Sequence, residues 1–345
     1  MRNAICQSTC FCGALAIMLL FAGLAPADDP ATSADNQIIP EGATVETLWE
    51  EGGFTEGAAA GPDGWMYFSD FAQPFDARPA RVMKFNPATG VFEIHAADSK
   101  MANGLMFDRQ GRLLACCASP LGGQRALVEI KPDGSVNPLV ERYEGKRFNS
   151  PNDLVIHPDG QVYFTDPKYV GPEKLELDSF DVYRLDLDGT VTRLVTGVDK
   201  PNGIILSQDA RTLFIAETDN GTAEAESNPD ATRGRMTLNA FRLKKNGTPG
   251  RKRVIVDFGD QLGIDGMTMD TDGHLYAAVR SENRFGIYIF TQQGKEIGYI
   301  QTPELPTNCC FGKTEKDCQT LYITAGAGFY RIKLNAHGYH PAVAD

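Results

Sequence analysis

Apolar and polar residues alternate with period two in short runs along the chain, the mark of half-buried β-strands, and no long stretch carries the helical period. The runs recur as a unit. Six segments each combine a polar turn with a following strand rich in Leu, Tyr, Phe and Val: Gly61–Asp70, Asp108–Cys116, His157–Asp166, Ser207–Glu217, Asp270–Ala278 and Lys313–Ala325. With Asp63, Gln110, Asp159, Asp209, Asp272 and Asp317 as turn positions, successive units lie 47, 49, 50, 63 and 45 residues apart. The Asp-Gly pairs at Asp63, Asp159 and Asp272 suit two-residue hairpins, because glycine accepts the positive φ such turns require.

Second alternating hairpins stand between these segments: Arg81–Ala96, Ala126–Glu141, Asp181–Thr196, Asn239–Phe258 and Gly286–Ile300. Two hairpins make four strands, and four-stranded units repeated at this spacing predict an all-β, six-bladed β-propeller. The last unit has only Gly328–Asn335 after its first hairpin and is one strand short. The alternating segment Ala43–Glu50 precedes the first blade and has none of its own, so it is predicted to join the last blade and close the ring, which removes an exposed strand edge. The polar stretch Thr222–Arg235 lacks β-character and reads as a surface insertion.

Composition narrows the function. The chain has 345 residues, 42% of them hydrophobic and 23% charged, too apolar for a disordered protein. With 33 basic and 45 acidic side chains the net charge is −12, which argues against a nucleic-acid partner. The short basic run from Lys244 to Arg253 reads as a solvated hairpin. Residues 1–27 read as a signal peptide, with an apolar run over Gly13–Ala25 and the small-x-small site Ala25-Pro26-Ala27; residues 28–345 then form a single propeller domain. No later segment reaches the ~20 apolar residues of a membrane helix, so the mature form is expected to be exported, periplasmic or extracellular, with no membrane partner. Of eight cysteines, Cys6, Cys10 and Cys12 lie in the signal, and Cys116, Cys117, Cys309, Cys310 and Cys318 read as small strand residues. The absence of a C-x-x-C motif among these five speaks against zinc.

The chemistry emerges when the units are aligned on their turns. Seven residues before the turn position stand Glu56, Asn103, Asn152, Asn202 and Asp265, and Asn308 takes that place in the last unit, whose turn is longer. The first strand of each propeller blade lines the central channel, so these six form a ring at one end of it. Two carboxylates and several amides are hard oxygen donors, a set that suits one divalent cation, calcium foremost. Asp70, Asp166 and Glu217, at the ends of second strands, are expected to hydrogen-bond between blades.

The stretch Arg147–Leu154, with Ser150-Pro151-Asn152-Asp153 inside it, followed by Phe164-Thr165-Asp166-Pro167, resembles the signature of gluconolactonases. These belong to the senescence marker protein, gluconolactonase and luciferin-regenerating enzyme-like family. Lys200–Ile204, Ile264–Met267, Thr307–Cys309 and Leu321–Ala325 are similar to the same family. The resemblance implies a six-bladed propeller with one catalytic divalent ion, usually calcium, held by Glu56, Asn152, Asn202 and Asp265. It further implies hydrolysis of a sugar lactone, with Asn103 and Asn308 near the substrate. Some relatives carry a substrate-contacting arginine two residues before the Asn152 position; Ser150 stands there, and Arg147 further back is the substrate-binding candidate. Asp265 is the expected catalytic residue, as a base on water or as a direct nucleophile. The same ring also suits a phosphotriesterase or arylesterase, or a binding propeller with a structural ion.

Overall fold

The structure is a computed structural model that describes residues 37–73, 77–195, 197–221 and 233–341. The expected signal peptide, and most of the predicted insertion over 222–235, lie outside the described residues. The alternating runs pair as hairpins, and the hairpins pair in turn, giving six antiparallel four-stranded sheets, five of them in simple sequential order and the sixth completed by the first described strand of the chain. Blade 1 begins with Phe54–Ala60, blade 2 with Ala102–Phe107, blade 3 with Leu154–Ile156, blade 4 with Pro201–Leu206, blade 5 with Ile264–Met269 and blade 6 with Pro306–Phe311. Each of these inner strands lies beside that of the next blade, and the first lies beside the sixth, so the ring is closed.

Closure follows the prediction. Strand Glu46–Trp49 is the outermost strand of blade 6, antiparallel to Gly328–Lys333, with Glu46 opposite Arg331 and Thr47 opposite Tyr330. The Arg331 guanidinium donates to both carboxylate oxygens of Glu46, at 2.8 and 3.0 Å.

The core is divided between the blades. Alternate side chains on each sheet face point to a neighbouring blade, and each of the six blade interfaces holds its own apolar cluster. At the closing interface Phe68 of blade 1 stacks on Phe329 of blade 6 with centroids 4.3 Å apart, and Trp49 of the closing strand packs against Phe68 and Phe92. Burying each such ring contributes about 1.5–3 kcal/mol. The outer strands are only half covered, and Pro138 sits in one of them, an edge position where its missing N–H costs no ladder bond.

All five described cysteines are free: Cys116, Cys117 and Cys309 are buried, Cys310 and Cys318 partly so. Among the described residues no helix is long and apolar enough to cross a membrane.

Candidate metal and active site

Five of the six ring residues converge. Glu56, Asn103, Asn152, Asn202 and Asp265 line one cavity of about 330 Å³, and all five are at least nine-tenths buried. The cavity opens at the end of the channel where the first strands start and the second strands finish.

A recurrent backbone device puts them there. The ladders of blades 1, 2, 4 and 5 break at or just after the donor, between Glu56 and Ala59, Ala102 and Leu105, Pro201 and Ile204, and Ile264 and Met267. At each break a donor residue is followed by glycine. A Cβ on Gly57 would meet the Asn103 carbonyl oxygen at 1.9 Å, one on Gly203 the Asp265 carbonyl oxygen at 2.3 Å, and Gly57 has φ +52. Only glycine lets the neighbouring inner strands approach this closely. Gly104 N donates to Asn152 O at 2.8 Å in the same manner.

The carboxylates ending three second strands fix the loops that carry the donors. Asp70 Oδ1 accepts from Gly53 N at 2.9 Å, Asp166 accepts from Asn149 N and Ser150 N at 2.8 and 2.7 Å, and Glu217 Oε1 accepts from Asp199 N at 2.9 Å. Gly53, Asn149 and Asp199 each precede a ring donor by three residues: Glu56, Asn152 and Asn202. The expected blade-to-blade bonding of Asp70, Asp166 and Glu217 is thus corrected. Each fastens the loop leading into its own blade, because the end of a second strand adjoins the start of the first.

Two predicted site residues stand elsewhere. Asn308 faces the other side of the ring, in a small cavity of about 50 Å³ with Asp153, Cys309 and His340, and its Oδ1 accepts from Cys309 N at 2.8 Å. In blade 6 the register shift falls between Pro306 and Asn308, before the donor position, so Asn308 stays in the regular ladder opposite Thr324. Arg147 is not among the residues lining the large cavity. It ends a small hairpin, Arg142–Tyr143 with Lys146–Arg147, and its guanidinium donates to Gln124 O at 2.7 Å.

The cavity also contains residues that the repeat did not reveal. Arg280 lies just beyond the second strand of blade 5; its Nη1 is 3.3 Å from Asp265 Oδ2 and 3.2 Å from Pro306 O, and its guanidinium lies over the Phe54 ring. Tyr169 and Thr218 line the wall, their hydroxyls donating to Lys200 O and Ile264 O. The signal for these residues is their position at or shortly after the ends of second strands, the strand ends nearest the ring.

Electrostatics sets the character of the floor. Burial, and then the negative charge of Asp265, push the Glu56 carboxyl well above the usual carboxylate range. Burial also raises Asp265, against the charge of Arg280 and a hydrogen bond from Asn202. Two carboxylates buried together, with the charge of one raising the proton affinity of the other, form a site that a cation would relieve. Among the described residues no three of His, Cys, Asp or Glu are grouped to hold a metal. The donor set of two carboxylates and two amides, Asn152 and Asn202, is made of hard oxygens and fits a hard cation. A wider open groove of about 1050 Å³, between turns of blades 3 and 4, contains Lys244, Lys245 and Arg251 and none of the ring donors.

A six-bladed propeller whose channel ends in a buried ring of acids and amides defines the class. The chain belongs to the SMP-30/gluconolactonase/LRE-like family, whose region matches residues 54–327. It is 32% identical over 253 residues to a gluconolactonase of Zymomonas mobilis, an alignment covering 69% of this chain and 64% of that protein. A pentonolactonase of Haloferax volcanii is 29% identical over 258 residues, covering 73% of this chain and 76% of that one. The solved gluconolactonase of Xanthomonas campestris superposes with a TM-score of 0.71 at 30% identity, covering 85% of this chain and 90% of its own.

Proposed function

We propose that this chain hydrolyses a lactone to the open hydroxy acid. The observation that carries the reading is the convergence of Glu56, Asn152, Asn202 and Asp265 on one buried cavity. Family membership and the lactonase names of the relatives support the same reaction class.

Glu56, Asn152, Asn202 and Asp265 would hold one divalent cation, calcium by donor chemistry. When bound, such an ion supplies Lewis-acid polarisation of the lactone carbonyl. Asp265 takes a proton from the attacking water, whose oxygen bonds to the carbonyl carbon. The acyl C–O bond of the ring breaks, and Asp265 returns its proton to the departing alkoxide, giving the free hydroxyl. Glu56 balances charge and anchors the site, and Asn103 faces the substrate. Arg280 keeps Asp265 oriented through its 3.3 Å contact.

The test is acid release from glucono-δ-lactone and pentonolactones by the purified chain, with calcium and after chelation. Calcium-dependent release supports the reading, and hydrolysis of aryl esters or organophosphates with no lactone turned over overturns it. We also propose export through residues 1–27. N-terminal sequencing of the protein from the cell exterior or periplasm should start near Asp28, and an intact Met1 there contradicts it.

A further inference from the structure

The polar floor occupies only part of the cavity. Phe54, Phe71, Met101, Ala118, Val170 and Leu262 form the rest of the wall together with a few polar residues. Phe71, Met101 and Ala118 belong to one buried apolar cluster, and Phe54 packs against it with its ring stacked on Phe71 at 6.3 Å. Phe54, Val170 and Leu262 are more open to solvent than any ring donor. The apolar wall therefore runs outward from the floor, to a mouth where Val170 is 37% exposed.

Two further observations show that this wall is constructed for contact. Lys100 and Met101 both hold left-handed backbone, with φ +56 and +67, a costly conformation for such side chains. It is fixed by Ala118 N donating to Met101 O and Gln124 N donating to Lys100 O, and it keeps Met101 on the cavity wall. The hydroxyls of Tyr169 and Thr218 donate to backbone carbonyls, and Ser150 Oγ accepts from Ser119 N, so the polar capacity lies on that side and not along Phe54, Phe71, Met101 and Leu262. A polyol chain laid along that apolar stretch would bury hydroxyls without partners, which is costly, whereas hydrocarbon would find matching surface.

Resting on the lactonase reading, we infer that the outer cavity is a subsite for an apolar substituent, and that the preferred substrates are lactones bearing an alkyl or aryl group on the ring. The ring carbonyl faces the floor and the substituent lies along Phe54, Met101 and Leu262. Each methylene buried there is worth roughly a four-fold preference.

The test compares kcat/KM, in calcium, for a δ-lactone with a five-carbon alkyl chain, for unsubstituted δ-valerolactone and for glucono-δ-lactone. The alkyl lactone should exceed δ-valerolactone at least ten-fold and should also exceed glucono-δ-lactone. An alkyl lactone no better than its parent, or a preference for glucono-δ-lactone, overturns the inference. Leu262→Asn, and Met101→Asn, which tolerates left-handed backbone, should each lower the alkyl-to-parent ratio about ten-fold with the fold intact by circular dichroism. An unchanged ratio in both also overturns it. If no lactone is hydrolysed, the reaction assignment fails and the subsite is judged by calorimetry. The alkyl δ-lactam should bind more tightly than the unsubstituted δ-lactam, and equal affinities reject it.

Discussion

Arg280 Nη1 lies 3.3 Å from Asp265 Oδ2, so the guanidinium and a bound cation would share one buried carboxylate. The two positive charges repel at short range where water screens poorly. Replacing Arg280 by methionine keeps apolar cover on Phe54 and removes the repulsion. Calcium affinity measured by calorimetry should rise roughly ten-fold, the equivalent of about 1.4 kcal/mol. Turnover should fall as Asp265 loses its orienting partner. An unchanged or weaker calcium affinity would show that the arginine does not compete for Asp265.

Asp265→Asn removes the proton acceptor and keeps an oxygen donor of nearly the same shape. With the blades packed through separate apolar interfaces, the melting temperature should change little. Turnover of a lactone substrate should fall by about 10² to 10⁴, the contribution of a positioned base. Wild-type activity should disappear with a chelator and return with calcium. Turnover close to wild type in Asp265→Asn would reject the base assignment.

The fold was legible because its determinants are local: period-two alternation, Asp-Gly turns and a unit one strand short. Aligning the repeats on their turns also brought out the ring, since equivalent strand positions meet at the channel. What escaped depends on contacts between segments. The ladder of blade 6 breaks before its donor, where the other breaks fall at or just after theirs, and Asn308 lines the smaller cavity instead. Arg147 is drawn into a small hairpin that sequence alternation did not mark. Arg280 has no basic counterpart in the other repeats, so the alignment could not single it out. Glycine follows Glu56, Asn103, Asn202 and Asp265, whereas Asp153 follows Asn152 and Cys309 follows Asn308, so a missing glycine does not by itself mark which position leaves the cavity.

The close approach of inner strands makes one of these glycines a sharp test. Gly203→Ala would place its Cβ 2.3 Å from the Asp265 carbonyl oxygen, a backbone atom that cannot rotate away. Blades 4 and 5 must separate to accept it, and Asn202 and Asp265 move apart. The expected cost is about 1–3 kcal/mol in urea unfolding, together with weaker calcium binding. Gly263→Ala is the control, because its nearest neighbours would lie at an ordinary 3.6 Å. Equal effects of the two substitutions would remove the steric explanation for the donor-glycine pairs.

Asp166 links the loop carrying Asn152 to pH. Burial pushes its carboxyl up to about 7, although Asn149 N, Ser150 N and the charge of Arg125 favour ionisation. The folded state therefore binds a proton more readily than the unfolded chain, whose Asp titrates near 3.8. The sign follows from linkage: this group's contribution to stability is complete below about 3.8 and is lost as pH rises through about 7. His95, His157 and His340, whose proton affinity is lowered mainly by burial, act in the opposite direction as pH falls. The comparison must therefore be between wild type and Asp166→Asn, which cannot titrate at this position. The stability of wild type relative to the variant, from urea unfolding at pH 5, 6, 7 and 8, should increase toward acid and level off above about pH 7. A flat difference across that range, or one rising with pH, would mean that Asp166 is not held with raised proton affinity beneath the loop of Asn149 and Ser150.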